Sequence, residues 1–160
     1  MKILIGLLLI IFALGCTSTM QSVGKGDNIA VDYTGTLEDG NVFDSSIGRA
    51  PLEFEVGAGE MIKGFDDAVI GMKLNEEKNA TIKPEDAYGP YDVNAVIEVA
   101  IASIPEGTKA GDTLYAAGRP VKVLEMRNET AILDTNHPLA GKTLIFQIKV
   151  VSIQKTNSTS

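Results

Sequence analysis

The sequence has no tryptophan, a single cysteine, Cys16, a single histidine, His137, and no block of basic residues. One cysteine forms no disulfide within the chain, so the stability of the fold must come from packing. Lysine and arginine number 14 against 21 aspartates and glutamates, and the formal net charge is −7. Nucleic-acid binding requires clustered lysine and arginine to neutralise phosphates. The composition therefore argues against a nucleic-acid partner.

The length of 160 residues gives room for one domain with a sound core or for two small ones. Hydrophobic residues make up 44% of the chain, as expected for a globular protein. Nothing in a chain of this size indicates assembly, so we expect a monomer.

The amino terminus reads MKILIGLLLIIFALGC, with one positive charge at Lys2 and an apolar run from residue 3 to residue 14. A helix over that run spans about 18 Å, short of the roughly 30 Å hydrocarbon core of a bilayer. The segment therefore predicts a signal peptide over residues 1–15 and a polar tether over residues 16–27. A buried amino-terminal helix is the alternative, but the run has no polar face.

The end of this segment, ALGC, resembles a prokaryotic lipobox, in which the cysteine is lipidated and becomes the first residue. Ala13 and Leu14 depart from the residues commonest in that motif. We expect export, with a lipid on Cys16 that anchors the protein to the outer face of the cell membrane. Weak support for export comes from three Asn-X-Thr glycosylation triplets, at Asn79, Asn128 and Asn157.

Hydrophobic spacing in the first half of the chain predicts strands and one short helix. Apolar and polar residues alternate over residues 28–37 and 51–56, the period of two that is typical of strands. Over residues 60–72 apolar residues recur every three or four positions, which indicates an amphipathic helix. Residues 77–84 predict another strand.

From about Ala95 the sequence changes, with a long apolar run followed by two or three short strand-like stretches. A final strand is predicted over residues 143–155 with one apolar face, formed by Leu144, Phe146, Ile148 and Val150. The pattern predicts an α+β fold, a mostly antiparallel sheet with one short helix, interrupted by a small second unit.

The stretch GNVFDSSIGRAP places Asp44, Ser45 and Ser46 side by side. A nucleophilic serine needs a base, usually histidine, and His137 lies far away in the turn-like stretch TNHPLAGK. A hydrolase using Ser45 and His137 stays open as a remote alternative that nothing favours. Asp-Ser-Ser is also a common turn composition, because these side chains bond their own backbone, so we interpret Ser45 and Ser46 as turn residues.

Four motifs together become specific in their order and spacing. They cover most of residues 28–153 and read VDYTGTLEDGNVFDSS, GAGEMIKGFDDAVIGM, PEDAYG and TLIFQIKVVSI. In this register the sequence resembles the FKBP-type peptidyl-prolyl isomerases. The stretches AYGPYDVN and NHPLAGKTL resemble the hinges of the SlyD-like subgroup, in which a small insert-in-flap chaperone domain replaces a loop. The resemblance implies an isomerase domain over residues 28–94 and 133–155, and an insert over residues 95–132.

The family fold is a strongly bent antiparallel sheet around one short helix, with a pocket between them. The resemblance implies pocket residues that act on the substrate, at Tyr33, Phe43, Asp44, Ile62, Phe65, Tyr88 and Phe146. It implies further substrate-binding walls at Leu52, Phe54 and Met61. Phe65 occupies the pocket floor, where the minimal members of the family usually have tryptophan. Taken singly, alternating aromatic residues on strands are more often core residues, so these assignments depend on the family register.

The insert is expected to bind unfolded polypeptides through apolar residues, Val96, Ile97, Val99 and Ile101. Related proteins often carry a metal-binding tail rich in histidine and cysteine, whereas this chain ends QKTNSTS, so we predict no metal site and no cofactor. The predicted function is an exported prolyl isomerase and folding chaperone that acts on proline-containing unfolded or partly folded polypeptides. The alternative is a client- or partner-binding module without catalysis on the same fold.

Overall fold

The structure is a computed structural model that describes residues 21–156. In this range the chain forms one α-helix and nine strands. In chain order they are β1 (Asn28–Leu37), β2 (Val42–Ser45), β3 (Leu52–Glu55), α1 (Lys63–Val69), β4 (Glu77–Ile82), β5 (Val96–Ala100), β6 (Thr113–Ala116), β7 (Arg119–Met126), β8 (Thr130–Asp134) and β9 (Leu144–Gln154). The predicted α+β class, with an antiparallel sheet and one short helix, is confirmed.

The first sheet is antiparallel and has the order β2-β1-β9-β4. β3 also pairs with β1, along the first half of β1, whereas β2 pairs along the second half of β1. β9 lies at the centre of the sheet, paired with β1 on one side and β4 on the other. Its alternate residues Leu144, Phe146, Ile148 and Val150 are all buried, as the period-two pattern predicts.

Helix α1 packs its apolar side, with Phe65 and Val69, into the core of the first sheet. The helix is shorter than the predicted span of residues 60–72. Ile62 precedes it with extended backbone (φ −59°, ψ 143°). Gly71 follows it with a φ of 82°, a left-handed conformation that glycine adopts without steric cost and that ends helices.

The main core lies between α1 and the first sheet. Side chains with no solvent exposure come from β1, β9, α1 and Val56 just after β3, and partly buried residues, including Tyr33 and Phe43, pack against this core. Its buried members are Val23, Ile29, Val31, Phe54, Val56, Phe65, Ala68, Val69, Met72, Ile82, Leu144, Phe146, Ile148 and Val150.

The second sheet is also antiparallel and has the order β5-β8-β7-β6. Its small core has four buried residues, Val121, Val123, Ala131 and Leu133. Because β8 continues to Asp134, this sheet ends two residues beyond the predicted insert boundary of residue 132.

The two chain segments that enter and leave the second sheet are joined by hydrogen bonds. The Asn136 side chain accepts from the Asp92 amide N–H at 3.0 Å and donates to the Asp92 carbonyl oxygen at 2.9 Å. The Thr135 amide donates to the Ala95 carbonyl at 3.0 Å. These contacts hold the segments side by side, and we call residues 88–95 and 134–141 the two hinge segments.

Among residues 21–156 no helix is long and apolar enough to cross a bilayer. The predicted signal peptide and Cys16 lie outside the described residues.

Candidate active site

A cavity of about 370 Å³ opens between the first sheet and the segment that leads into α1. β1, β2 and β9 contribute Tyr33, Phe43 and Phe146. Met61 and Ile62 come from the segment before α1, and Phe65 from the helix itself. The remaining lining residues are Asp44, Leu52, Glu60 and Tyr88.

The floor of the cavity is a cluster of aromatic rings in edge-to-face contact. The ring centroids of Phe65 and Phe146 lie 5.1 Å apart, and those of Phe43 and Phe146 lie 5.5 Å apart. Phe65 and Phe146 are only 2% and 6% exposed. Gly35 is needed beneath this cluster, because a Cβ there would lie 2.5 Å from the ring of Phe43. The floor is therefore apolar, rigid and shielded from water.

One charged group at the rim is held in place by two partners. The Tyr33 hydroxyl donates to Asp44 Oδ2 at 2.5 Å, and the Arg49 guanidinium donates to Asp44 Oδ1 at 2.6 Å. The hydrogen bond from Tyr33, together with Arg49, lowers the pKa of Asp44 below its ordinary value. Burial and the bond to Asp44 raise the pKa of Tyr33. The rim therefore carries a fixed carboxylate and a neutral phenol across the neutral pH range.

The neighbouring serines bind backbone groups of the adjacent strand. Ser45 Oγ donates to the Tyr33 carbonyl at 3.1 Å, and Ser46 Oγ accepts from the Tyr33 amide at 2.9 Å. Their hydroxyls hold the end of β2 against β1. His137 stacks on Tyr88 instead of bonding to Ser45, so the structure gives no support to the hydrolase alternative.

Tyr88 lines the cavity from the start of the first hinge segment and is 41% exposed. Its ring lies parallel to that of His137, with a centroid distance of 3.8 Å and an interplanar angle of 5°. The two hinge segments are thus in contact at the edge of the cavity.

A family profile described as FKBP-type peptidyl-prolyl cis-trans isomerase matches residues 20–151 of this sequence. The chain belongs to this family. The short-type peptidyl-prolyl cis-trans isomerase of Methanocaldococcus jannaschii is 40% identical, over 85% of this chain and 97% of that protein. This isomerase therefore acts on proline-containing polypeptides, and the predicted family and activity are confirmed.

Two further relatives bear the name SlyD. The FKBP-type peptidyl-prolyl cis-trans isomerase SlyD of Aeromonas hydrophila is 36% identical, over 79% of this chain and 62% of that protein. That of Treponema pallidum is 35% identical, over 79% of this chain and 76% of that protein. These similarities support the SlyD-like subgroup that the hinge motifs predict for the isomerase.

The structure brings most of the predicted pocket residues of the isomerase together. All seven residues predicted to act on the substrate line the one cavity, as do Leu52 and Met61. Phe54 does not line it. Its side chain is 4% exposed, and its ring centroid lies 5.8 Å from the ring centroid of Phe65. Phe54 therefore supports the floor of the cavity from within the core.

Two polar residues near the cavity were not identified from the sequence. Arg49 holds Asp44, and Glu60 lines the wall while its Oε2 accepts from the Glu55 amide at 3.1 Å. Both lie in loops of the structure, and Glu60 falls in the stretch that was predicted as the start of a helix. An arginine five positions after an aspartate in a turn is the only signal that was available.

The predicted client-binding residues of the second sheet occupy different environments. Ile97 and Ile101 are 42% and 37% exposed, whereas Val99 packs against the small core and Val96 is half-buried. A groove of about 390 Å³ lies just beyond the end of β5, lined by residues including Ile101, Ile104 and Met126. Among residues 21–156 no three or more histidine, cysteine, aspartate or glutamate side chains are grouped as a metal site requires.

Proposed function

We propose that the aromatic cavity catalyses rotation of the peptide bond before proline by removing it from water. The observation that carries this proposal is that the residues expected to act on the substrate line one cavity with a buried, apolar floor. No nucleophile, general acid or general base is required, because the reaction neither makes nor breaks a covalent bond.

The uncatalysed rotation has a barrier of about 18–20 kcal/mol and takes roughly 10–100 s. Water stabilises the planar amide, which is more charge-separated than the twisted one. In a cavity floored by Phe65 and Phe146 the planar form loses that stabilisation, whereas the twisted form loses less. Such a differential effect on ground and transition states is what lowers a barrier.

Two polar residues complete the proposed site. The hydroxyl of Tyr88, at the exposed edge of the cavity, donates to the carbonyl oxygen before proline. Asp44 keeps Tyr33 in place through the short hydrogen bond between them. Their roles are positioning the substrate and shaping the rim.

The test is isomerisation of a short peptide with an apolar residue before proline. Phe43 and Tyr88 are partly exposed, so Phe43→Ala and Tyr88→Ala should leave the protein folded while lowering kcat/KM more than about tenfold. Phe146→Ala should do the same, but it requires an unfolding control because a buried phenylalanine is worth about 3–5 kcal/mol. Ser45→Ala is the matched control and should change the rate less than about twofold. Normal rates in Phe43→Ala and Tyr88→Ala would contradict the proposed site.

We also propose that the second sheet is a client-binding insert with chaperone activity. Support comes from the groove beside Ile101, from the exposure of Ile97 and Ile101, and from a core of only four buried residues. Exposed apolar surface of this kind marks binding sites. A bound unfolded chain would be held near the cavity, which raises the local concentration of its prolines.

A matched pair of substitutions tests this proposal. Ile101→Ser should weaken suppression of aggregation of an unfolded protein while leaving peptide isomerisation unchanged. Leu74→Ser is the control, because Leu74 is 52% exposed and lies between α1 and β4, away from the second sheet. Equal effects of the two substitutions would show that general surface apolarity, and not the groove, holds the client.

We further propose that the isomerase is exported and anchored by a lipid on Cys16, with residues 1–15 removed as a signal peptide. Support comes from the sequence of the amino terminus alone. Cys16→Ser should release the protein from the membrane fraction or stop its maturation. Recovery of the full-length chain from the cytoplasm, with Met1 intact, would contradict export.

A further inference from the structure

The orientation of Tyr88 needs an explanation, since its hydroxyl is the proposed donor to the substrate. Tyr33 and Tyr91 each have their hydroxyl fixed by an aspartate, Asp44 and Asp134. Among residues 21–156 the hydroxyl of Tyr88 has no such hydrogen bond. Its ring is held instead by the parallel imidazole of His137, 3.8 Å away between centroids.

His137 is itself fixed by the turn that contains it. Its Nδ1 accepts the Leu139 amide N–H at 3.1 Å, and its carbonyl oxygen accepts the Ala140 amide at 2.8 Å. The Gly141 amide then donates to the Gly89 carbonyl at 2.8 Å, next to Tyr88. The imidazole therefore has a fixed orientation, and the ring of Tyr88 packs against its face.

We propose that His137 is a positioning residue of the isomerase, which holds the Tyr88 ring so that its hydroxyl faces the cavity. This inference rests on the role proposed for Tyr88 above. His137 does not line the 370 Å³ cavity, so its proposed role is to act through Tyr88 and not on the substrate itself. It lines a separate cleft of about 560 Å³ at the second hinge segment. The stacked rings of Tyr88 and His137 therefore lie between this cleft and the 370 Å³ cavity.

The stack depends on the neutral form of the imidazole. Nδ1 accepts a hydrogen bond only when it carries no proton, so the neutral ring has its proton on Nε2. Protonation would place an Nδ1–H donor against the Leu139 N–H donor, and the ring would have to turn away. Although His137 is exposed to solvent, the partial desolvation of its ring lowers its pKa below the ordinary 6.5. The neutral, stacking form is therefore the one present at neutral pH.

Several titratable or charged groups surround His137. Facing it across its cleft are Tyr91, Lys122, Asp134 and Lys142, and Tyr88 covers its other side. Burial acts to raise the pKa of Asp134, but hydrogen bonds from Asn136 lower it overall, and the bond to Asp134 raises the pKa of Tyr91. His137 is the one histidine in the sequence, and histidine is the side chain that ordinarily changes charge between pH 5 and pH 8.

Proton NMR of the full chain tests the stacking of His137 on Tyr88 directly, because the protein has a single histidine and its imidazole signals need no further assignment. The imidazole protons should be shifted upfield by the ring current of Tyr88, and Tyr88→Leu should abolish that shift. The same signals should titrate with a pKa below the ordinary value. Imidazole shifts that are unaffected by Tyr88→Leu would overturn the inference.

The pH dependence of catalysis separates positioning from general stability. By exchange NMR on a short Xaa-Pro peptide, kcat/KM should decline on the acid side with the pKa of the histidine signal. His137→Phe keeps a flat ring that cannot titrate, so its rate at pH 7.5 should stay within about twofold and the acid decline should disappear. His137→Ala should lose about three- to tenfold with unfolding unchanged. An acid decline that persists in His137→Phe, or a normal rate in His137→Ala, would overturn the inference.

A double-mutant cycle shows whether His137 acts through Tyr88. Tyr88→Phe removes only the hydroxyl and should slow the peptide reaction, and adding His137→Ala should then have little further effect. If Tyr88→Phe is slow but the two effects multiply, the inference about His137 fails alone. If Tyr88→Phe is as fast as the parent, the role proposed for Tyr88 fails and this inference fails with it.

Discussion

The two sheets differ most in how much they bury. Among residues 21–156, fourteen buried apolar residues from the first sheet, α1 and the adjoining loops form the main core, whereas the second sheet has four. The first sheet also holds the aromatic cavity. Both units leave large apolar side chains exposed, and the second does so beside a much smaller core. The exposed residues are Val42, Ile47, Ile70 and Leu74 in the first unit and Ile97, Ile101, Tyr115 and Leu124 in the second.

This difference is a consequence of size, because a unit of fewer than forty residues has too much surface for its volume to bury its apolar side chains. The unit with the large core is therefore the one that contains the cavity proposed for catalysis. The unit with the small core is the one proposed to hold clients. The hinge segments, joined through Asn136 and Asp92, connect these two units.

The largest expected effect comes from opening a cavity in the main core. Ile148 on β9 has no solvent exposure, so Ile148→Ala should lower the free energy of unfolding by about 2–5 kcal/mol and abolish activity near the unfolding temperature. Val123 is the counterpart in the second sheet, at 1% exposure. Val123→Ala should raise hydrogen exchange in β7 and β8 while β1 and β9 stay protected, with peptide isomerisation unchanged. A single shared unfolding transition with loss of peptide activity in both variants would show that the two cores are one cooperative unit.

The next largest effect comes from removing the second sheet. The two cores share no residue, so replacing residues 96–134 by a short glycine-containing loop should leave the first sheet folded. A short proline peptide should still be isomerised, since the cavity residues remain. Catalysed refolding of a whole protein should fall more than about tenfold, and suppression of aggregation should be lost.

Two controls belong to this experiment. Circular dichroism and hydrogen exchange must show that β1 and β9 keep their protection in the shortened chain. Equal losses on peptide and protein substrates would mean that the second sheet is scaffold for Tyr88 and the cavity, not a client-binding unit.

Much of this arrangement could be predicted from the sequence, for physical reasons that differ between elements. β9 follows from period-two alternation, because Leu144, Phe146, Ile148 and Val150 on one face are buried while the residues between them are not. The sequence of β1 alternates in the same way, although Ala30, between Ile29 and Val31, is buried as well. The helix ends were less predictable, since residues 60–62 and 70–72 carry apolar residues that pack without being helical. The cavity residues came from the family register, which alternation alone could not supply.

The errors and omissions at the site have a common cause. The family register shows which positions lie near the pocket but not how deep each side chain lies, so Phe54 was placed on the cavity wall although it supports Phe65 from behind. Arg49, Glu60 and His137 lie in loops, where side-chain direction depends on tertiary contacts. The stack of His137 on Tyr88 joins residues far apart in sequence, and no local signal predicts it.

A smaller effect is expected at the connection between the two units. Asn136→Ala removes the two side-chain hydrogen bonds to the Asp92 backbone and one to the Asp134 side chain. Because these bonds are partly exposed, the free energy of unfolding should fall by about 1 kcal/mol. Refolding of a protein substrate should slow several-fold while the peptide reaction is retained. Asn94→Ala is the matched control, because Asn94 bonds only to Asp92 within its own segment. The same slowing in both variants would show that the bonds between the hinge segments have no special part in joining the units.

The smallest effect is expected from neutralising Asp44. It tests whether the charge of a carboxylate matters for catalysis in the first sheet and not in the second. Asp44→Asn keeps the shape and an oxygen that accepts from Tyr33, so the unfolding free energy should change by less than about 1 kcal/mol, as for other exposed ion pairs. Because the folded-state pKa of Asp44 is lowered, its contribution to stability is present above the unfolded value of about 3.9 and is lost only as the pH falls through the folded value. Between pH 5 and pH 8 the stabilities of parent and variant should therefore run parallel.

The rate should respond more than the stability, because the carboxylate fixes Tyr33 and Arg49 at the rim of the cavity. We expect kcat/KM for a short peptide to fall about two- to fivefold in Asp44→Asn, by an equal factor from pH 5 to pH 8. The matched control is Glu98→Gln on β5, where Thr130 and Arg127 likewise lower the pKa of a carboxylate, but in the second sheet. Glu98→Gln should leave the peptide rate unchanged. If it slowed the peptide reaction as much as Asp44→Asn does, charge on the second sheet would reach the cavity, and the division of labour between the two sheets would be wrong.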